Sequence, residues 1–317
     1  MKLLNLIIFL LIASSLLSQN AEEYIELSRQ KQAEGNYNYA LNLTEKAIEQ
    51  DSTELLYRLY KSEILLDLDR VEDAAIELYK TLAMDTTYAE TYNRLGTLYL
   101  SMGYLDASLG MYDYAITYSM VDSLSFGYFI NRASAKGMLR DFESSIADLE
   151  SAYEINDTSL VLLNNLAAIH SEIGNSRQAI RYCREVIDID STFIGAYVNL
   201  GLIYTEIDSL EQGAYYFTKG LEIDANEPLI YSNRGFLYYK QKEYGKALED
   251  LNKSIDMYPS NPFVYKNRAL VYFALGHQKE GCRDLDIAEY YKFEEWYGDE
   301  VAKLKVEHCE NIETKKE

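Results

Sequence analysis

Cysteine, histidine and proline are scarce in this sequence, with three residues of each among 317. His170, His277 and His308 lie far apart along the chain, and no phosphate loop, dinucleotide fingerprint or nucleophile motif is present. Acidic pairs such as Glu294-Glu295 are typical of solvated helix faces rather than of acid–base couples. These absences argue against metal-dependent, nucleotide-dependent and nucleophilic enzymes. We therefore predict a protein that is not an enzyme and that holds no cofactor and no metal.

Positive charge is also scarce, since 30 Lys and Arg stand against 51 Asp and Glu and give a formal net charge of -21. Nucleic acids and anionic membranes both attract basic surfaces. This composition therefore argues against either as a partner. A neutral or basic protein or peptide fits better, although the same acidity would serve solubility alone.

A long apolar run occurs once, at the N-terminus. Met1-Lys2 is followed by a mainly apolar stretch from Leu3 to Leu17 and then by Ser18-Gln19-Asn20. This order is typical of a secretory signal peptide, so we predict a signal at residues 1–18 and an exported protein, most simply in a bacterial periplasm. Such a stretch is marginal for spanning a bilayer. An uncleaved anchor is the lesser alternative, and after cleavage we expect no membrane insertion.

Residues 231–262 have the pattern of two amphipathic helices joined by a tight turn. Tyr231, Gly235 and Tyr238 are spaced i, i+4, i+7 on one helical face. A lone hairpin that is apolar on more than one side needs neighbours on both sides. The pattern therefore predicts similar hairpins before and after it.

Steps of 34 residues supply these neighbours. With Pro228 as position 1, small residues recur at position 8, including Gly201 and Gly235, and at position 20 in every unit. The residues at position 20 are Ala40, Ala74, Ser108, Ser145, Ala179, Gly213, Ala247 and Gly281. Small side chains there let the two helices of a hairpin approach closely.

This period and these positions resemble the tetratricopeptide repeat family. The resemblance implies an all-α fold, a right-handed α-solenoid superhelix of helical hairpins over residues 21–295, in one domain because a solenoid grows by stacking. Three extra residues around Met120 to Ser125 are expected to lengthen a loop or a helix end. The eight repeats are expected to start near Ala21, Leu55, Ala89, Phe126, Leu160, Ile194, Pro228 and Pro262.

Beyond the last repeat, residues 296–310 are predicted to form a C-terminal capping helix, followed by a polar tail at residues 311–317. Val301, Leu304 and His308 would share one face of this helix. The end of a solenoid needs such a cap, apolar towards the stack and polar towards water.

Positions 7 and 23 exchange their character together. Both are charged, with opposite sign, in four repeats, and both are apolar or aromatic in the other four. They are equidistant from a turn near position 15, so they face each other in an antiparallel hairpin. The alternative is that the basic residues bind an acidic ligand. The four ion pairs predicted are Lys61–Glu77, Arg132–Asp148, Arg234–Asp250 and Arg268–Asp284.

The cysteines divide into a pair and a single thiol. Cys282 begins the second helix of the last repeat and Cys309 ends the capping helix, so an antiparallel arrangement places them at the same height. In an oxidising compartment we expect them to form a disulfide. Cys183, at a packed position, is expected to remain a free buried thiol. The alternative is a cytosolic protein with unpaired cysteines.

Asparagine recurs at position 6 of the last five repeats. An amide both donates and accepts, so a ladder of amides can pair with the backbone of an extended peptide. The resemblance places the first helices on a concave groove, where such a peptide would lie. The alternative is that these amides only bond neighbouring helices. The ladder consists of Asn131, Asn165, Asn199, Asn233 and Asn267.

Apolar residues beside two lysines complete the predicted site. This combination suits a hydrophobic peptide bearing a carboxylate. Some tetratricopeptide repeat proteins hold a C-terminal carboxylate with a clamp of Lys, Asn and Arg, of which only part is visible here. The residues concerned are Phe236, Tyr239, Lys240, Lys266, Leu270 and Phe273.

The predicted function is that of an exported scaffold that binds a protein or an extended peptide in its concave groove. The alternative is a structural or self-assembling envelope component without a peptide ligand, in which the ends or the convex face make the contacts. Light scattering separates the two, because a concentration-independent monomer favours the scaffold. The sequence does not define the oligomeric state or the partner.

Overall fold

Paired helices follow one another along the chain in the computed structural model, which describes residues 20–119, 122–294 and 298–309. No strand occurs within these residues, so the all-α prediction is confirmed. The predicted signal peptide and the polar tail lie outside them. The first helices of the repeats are α1 (20–33), α3 (Leu55–Asp67), α5 (Ala89–Ser101), α7 (Asp122–Met138), α9 (Leu160–Glu172), α11 (Ile194–Glu206), α13 (Pro228–Lys240) and α15 (Pro262–Ala274). The second helices are α2 (Tyr37–Gln50), α4 (Val71–Met84), α6 (Leu105–Tyr118), α8 (Phe142–Ile155), α10 (Ser176–Ile189), α12 (Leu210–Ile223), α14 (Tyr244–Met257) and α16 (Gln278–Tyr290), and α17 (Glu300–His308) follows.

Helix α7 differs from the other first helices in length. It has 17 residues, whereas α5 and α9 have 13. It begins at Asp122, before the start expected near Phe126. The extra residues of this repeat therefore extend the beginning of a helix, which was one of the two outcomes expected.

The chain divides into two compact units, Met1–Ala135 and Lys136–Glu317, where the sequence predicts one domain. Each repeat of a solenoid contacts mainly its neighbours, so no single core holds a long array together. The division falls within α7, in the repeat that departs from the 34-residue step. The two units are described separately below.

The turn inside each repeat has one conformation. The residue at position 15 has a left-handed backbone in all eight repeats, with φ of +76° at Gly35 and +63° at Asp208. The next amide donates back to the carbonyl at position 11, as from Ser209 to Tyr204 at 2.8 Å. This bond is that of the Schellman motif, which ends a helix at a left-handed residue. Glycine adopts the conformation freely, whereas Asp69, Arg140, Asp208 and Lys242 adopt it at some cost.

Small residues at position 20 lie where the two helices of a repeat meet. Ala179 and Ala247 are fully buried. At Gly213 the helices are closer still, because an added Cβ would lie 3.0 Å from the carbonyl oxygen of Gly201. The close approach expected from the sequence is therefore present.

Three of the four ion pairs predicted within repeats are confirmed. Asp250 and Asp284 are 6 % and 3 % exposed, and each accepts two bonds from one guanidinium group. Such bidentate pairs are the strong geometry for arginine and carboxylate. The pairs are Lys61–Glu77 at 3.4 Å, Arg234–Asp250 at 2.7 and 2.9 Å, and Arg268–Asp284 at 2.7 and 2.8 Å.

The fourth pair, Arg132–Asp148, joins residues of different units and stays a prediction. Within its own unit, Arg132 pairs with Asp113 at 2.5 Å. Within the other unit, Lys136 pairs with Asp148 at 2.7 Å.

Helix α17 is tied to α16 at the C-terminal end. Cys282 and Cys309 form a disulfide with their Cα atoms 5.8 Å apart. The Gln278 side chain donates to the His308 carbonyl at 2.7 Å, and Val301 is fully buried. Helix α17 therefore has the apolar inner face that a cap requires.

The third cysteine is separate from this bond. Cys183 in α10 is free and fully buried, as expected from its packed position. Burial raises the pKa of its thiol to about 12. A thiol that stays protonated at neutral pH is a weak nucleophile, so Cys183 acts as a small apolar core residue.

Candidate ligand-binding groove

The first helices of repeats 6, 7 and 8 line a cavity of about 960 Å³ in the C-terminal unit, and α17 contributes to it. Its volume is in the range of sites for small ligands and peptides. The residues lining it are Arg140, Glu172, Val198, Asn199, Leu202, Glu206, Leu229, Asn233, Phe236, Lys240, Tyr258, Asn261, Pro262, Phe263, Lys266, Asn267, Leu270, Phe293, Glu300, Lys303 and Leu304. We call this cavity the groove.

Most groove residues occupy positions 2, 5, 6, 9 and 13 of their repeats. At 3.6 residues per turn, these positions fall within about 100° of one face of a helix. Position 9 is apolar in three successive repeats, as Leu202, Phe236 and Leu270. The groove therefore has an apolar centre with polar groups around it.

Seven of the eleven residues predicted to bind peptide line the groove. They are Asn199, Asn233, Phe236, Lys240, Lys266, Asn267 and Leu270. Asn165 is not among the lining residues, and Asn131 belongs to the N-terminal unit. The structure therefore brings together the predicted residues of repeats 6 to 8.

Tyr239 and Phe273 were predicted as groove residues, and the structure places them elsewhere. Both stand at position 12, just beyond the edge of the groove face. The Tyr239 ring packs against Tyr244, with centroids 6.3 Å apart. The Phe273 ring stacks on His308 at 4.2 Å. These two rings therefore close the hairpin turn and the cap rather than the ligand site.

The asparagine ladder bonds in part to neighbouring repeats. The amide of Asn199 donates to the Asn164 side chain at 2.8 Å, and that of Asn131 donates to Asn93 at 2.9 Å. Asn267 is only 4 % exposed, whereas Asn233 is half-buried in the groove. The ladder therefore stabilises the stack at two points, which is the structural alternative.

The two lysines predicted to meet a ligand carboxylate already have carboxylate partners. Lys240 pairs with Asp208 at 3.0 Å and donates to the Thr205 carbonyl at 2.9 Å. Lys266 pairs with Glu300 of α17 at 2.9 Å and lies 5.2 Å from the centroid of the Phe263 ring. The expectation of free positive charge in the groove is therefore wrong.

Two polar groove residues escaped the sequence analysis. Burial by the groove wall raises the pKa of Glu206, and the nearby charge of Glu172 adds to the effect, although the side chain remains accessible. Asn261 precedes α15, and its side chain accepts from the Phe263 amide at 3.0 Å. Its Nδ2 atom is buried without a hydrogen-bond partner in the described structure. Glu206 shares position 13 with Lys240, which was the one available signal; nothing in the sequence singles out Asn261.

The N-terminal unit has a smaller cavity of about 330 Å³ on the corresponding helix faces. Its apolar floor is formed by Leu56 and Leu59. Arg94 at its edge is bound to Glu63 and Glu90, at 3.2 and 2.9 Å. This cavity is both smaller and more fully occupied by internal ion pairs than the groove.

Comparison with known proteins identifies the repeats. Tetratricopeptide repeat models match residues 159–189, 194–227 and 228–261. This chain contains tetratricopeptide repeats. The three matches cover repeats 5, 6 and 7, which include most of the groove. Tetratricopeptide repeats form a fold of protein-interaction scaffolds and are typically not enzymes.

Solved structures of tetratricopeptide repeat proteins share this fold. A tetratricopeptide repeat protein from Parabacteroides merdae ATCC 43184 has a TM-score of 0.67 at 17 % identity, over 80 % of this chain and 99 % of its own. The Cut9–Hcn1 hetero-tetramer of APC/C gives 0.64 at 14 % identity, over 77 % of this chain and 48 % of its own. A thermophilic repeat protein from Thermus thermophilus gives 0.51 at 16 % identity, over 58 % and 97 %. No curated protein sequence matches this chain.

The part of the chain that the structure describes holds no site of two other kinds. No helix within it combines the length and the apolarity that crossing a bilayer requires. Nor does it include a group of three or more His, Cys, Asp or Glu side chains placed to hold a metal ion.

Proposed function

We propose that this tetratricopeptide repeat protein is exported and binds an extended peptide segment of a partner protein in the groove of repeats 6 to 8. The observation that carries the proposal is the apolar centre of the groove. Leu202, Phe236 and Leu270 follow one another along three repeats and remain partly accessible within a cavity of about 960 Å³. Successive apolar subsites with polar surroundings suit the side chains of an extended peptide.

Export is supported by two features of the chain. The N-terminal stretch has the order of a signal peptide. The pair Cys282–Cys309 forms a disulfide, and such bonds persist mainly in oxidising compartments. Fusion of residues 1–20 to a reporter that is active only after export tests this part of the proposal, and a reporter retained in the cytoplasm would contradict it.

The binding site is tested with peptides selected for affinity. A library of random peptides, about 12 residues long, is displayed on phage, and the peptides enriched on the intact chain are synthesised and measured by fluorescence anisotropy. Loss of two central apolar anchors typically costs about 2 kcal/mol or more, so the variant Phe236→Ala with Leu270→Ala should bind at least about 30-fold more weakly.

The matched control is Tyr215→Ala, which removes an exposed ring of α12 that does not line the groove. Its affinity should equal that of the unchanged chain. Selected peptides that bind the groove variant as tightly as the original would place the site elsewhere. Failure to enrich any peptide, together with concentration-dependent light scattering, would favour a self-assembling component.

A further inference from the structure

Four cations line the groove, and each already has a carboxylate within 4 Å. A ligand carboxylate would have to compete with these internal partners. The groove therefore offers little free positive charge. The pairs are Arg140–Glu172 at 3.8 Å, Lys240–Asp208 at 3.0 Å, Lys266–Glu300 at 2.9 Å and Lys303–Asp299 at 2.7 Å.

Three carboxylates line the same groove, and Glu206 differs from the other two. Glu172 and Glu300 belong to the pairs just described, whereas Glu206 has no ion-pair partner among the described residues. Its carboxylate accepts a hydrogen bond from the Ser171 hydroxyl, at 3.3 Å. A carboxylate in a partly dehydrated wall is stabilised by a cation that approaches it. The charge that the groove leaves unpaired is therefore negative.

A second group in the groove lacks a partner. Asn261 is 6 % exposed and lines the groove, and its Oδ1 atom is used to cap α15. Its Nδ2 atom donates no hydrogen bond in the described structure. A buried donor left unpaired is destabilising, and a carbonyl oxygen from a bound chain would satisfy it. This donor and Glu206 belong to one cavity.

We propose that the groove selects a peptide with a Lys or Arg residue next to apolar residues. The basic side chain pairs with Glu206, a backbone carbonyl accepts a hydrogen bond from Asn261, and the apolar side chains lie over Leu202, Phe236 and Leu270. This inference rests on the proposed function and names its ligand class. The net charge of -21 would also attract such a peptide at long range.

The test uses three pools of fluorescein-labelled peptides, about 12 residues long, that are degenerate in Leu, Val and Phe and differ in one central residue, which is Lys, Gln or Glu. The intact chain should bind the Lys pool about tenfold more tightly than the Gln pool, and the Glu pool more weakly still. In Glu206→Gln, which changes the charge but hardly the shape, the preference for Lys should disappear while binding of the Gln pool persists.

Two further variants make the test specific. Glu211→Gln removes a carboxylate of α12 outside the groove and should keep the tenfold preference. Asn261→Ser keeps a side-chain acceptor for the start of α15 and removes the amide donor, so it should weaken binding of all pools alike. Circular dichroism confirms that each variant folds.

The pH dependence provides an independent readout. Glu206 faces Glu172, Lys240 and Lys266, and its pKa in the free chain is raised, chiefly by burial. Because the ionised form binds the cation, affinity for the Lys pool should fall as the pH drops through this raised pKa, while that for the Gln pool stays constant.

The outcomes separate the two levels of the account. Equal binding of the three pools, a preference for Glu, or a preference for Lys that survives in Glu206→Gln would overturn the inference and leave the proposed function standing. If no pool binds the intact chain, the proposed function itself is overturned.

Discussion

Replacing Arg268 by methionine is expected to destabilise the C-terminal unit by about 3–5 kcal/mol, because it leaves a buried carboxylate without its partner. Asp284 is 3 % exposed and accepts two short bonds from this guanidinium group. Arg268 also donates to Asn252 at 2.7 Å, so the substitution removes three bonds at once. The loss is measured by urea denaturation at neutral pH, followed by circular dichroism.

The control for this prediction is the double variant Arg268→Met with Asp284→Leu. Replacing both members of a buried pair with apolar residues is often neutral or stabilising, so the double variant should recover most of the stability. Lys303→Met breaks an exposed pair with Asp299 and should cost only about 0–1 kcal/mol. A single variant as stable as the original chain would show that Asp284 is solvated or bonded elsewhere.

Removing the disulfide is expected to release α17 from the stack. The bond joins cysteines 27 residues apart in sequence, and a loop of this size corresponds to about 3–4 kcal/mol in the chain-entropy description. Because a solenoid loses its terminal elements first, Cys282→Ser with Cys309→Ser should speed amide exchange in α17 by about two orders of magnitude and leave α9 and α10 unchanged. Hydrogen–deuterium exchange with mass spectrometry measures both.

Cys183→Ala is the matched control, since it removes a thiol that is not bonded to another cysteine. It should leave exchange in α17 as it is. The disulfide variant should also bind peptide more weakly, because α17 supplies Glu300, Lys303 and Leu304 to the groove. Equal protection of α17 in the oxidised and disulfide-free chains would contradict the role given to this bond.

The fold was predictable because its determinants repeat. A step of 34 residues, small side chains at position 20 and opposite charges at positions 7 and 23 are each visible in the sequence, and each acts within one repeat. The lengthened start of α7 was foreseen only as one of two outcomes, since an insertion can be accommodated by a loop or by a helix. The division into two units was not foreseen, because it depends on packing between repeats.

The candidate site was predictable to the extent that it follows helix periodicity. Phe236 and Leu270 at position 9 were found for this reason. Phe273 was misplaced because position 12 lies at the edge of the groove face, where a ring reaches the neighbouring helix instead. The charges of the groove were misjudged because the partner of Lys240 lies in the turn of the preceding repeat and that of Lys266 lies in the cap. No spacing within a repeat reveals such partners, nor the unpaired donor of Asn261.

The central claim is that the concave helix face of repeats 6 to 8 binds peptide, and site-specific photocrosslinking tests it most directly. A photoreactive phenylalanine derivative replaces Leu202 in one preparation and Tyr215 in another, and each is irradiated with the same display-selected peptide. The account predicts a covalent adduct from the derivative that replaces Leu202, in the groove, and none from the one that replaces Tyr215, on α12. An adduct at Tyr215 with none at Leu202 would contradict it.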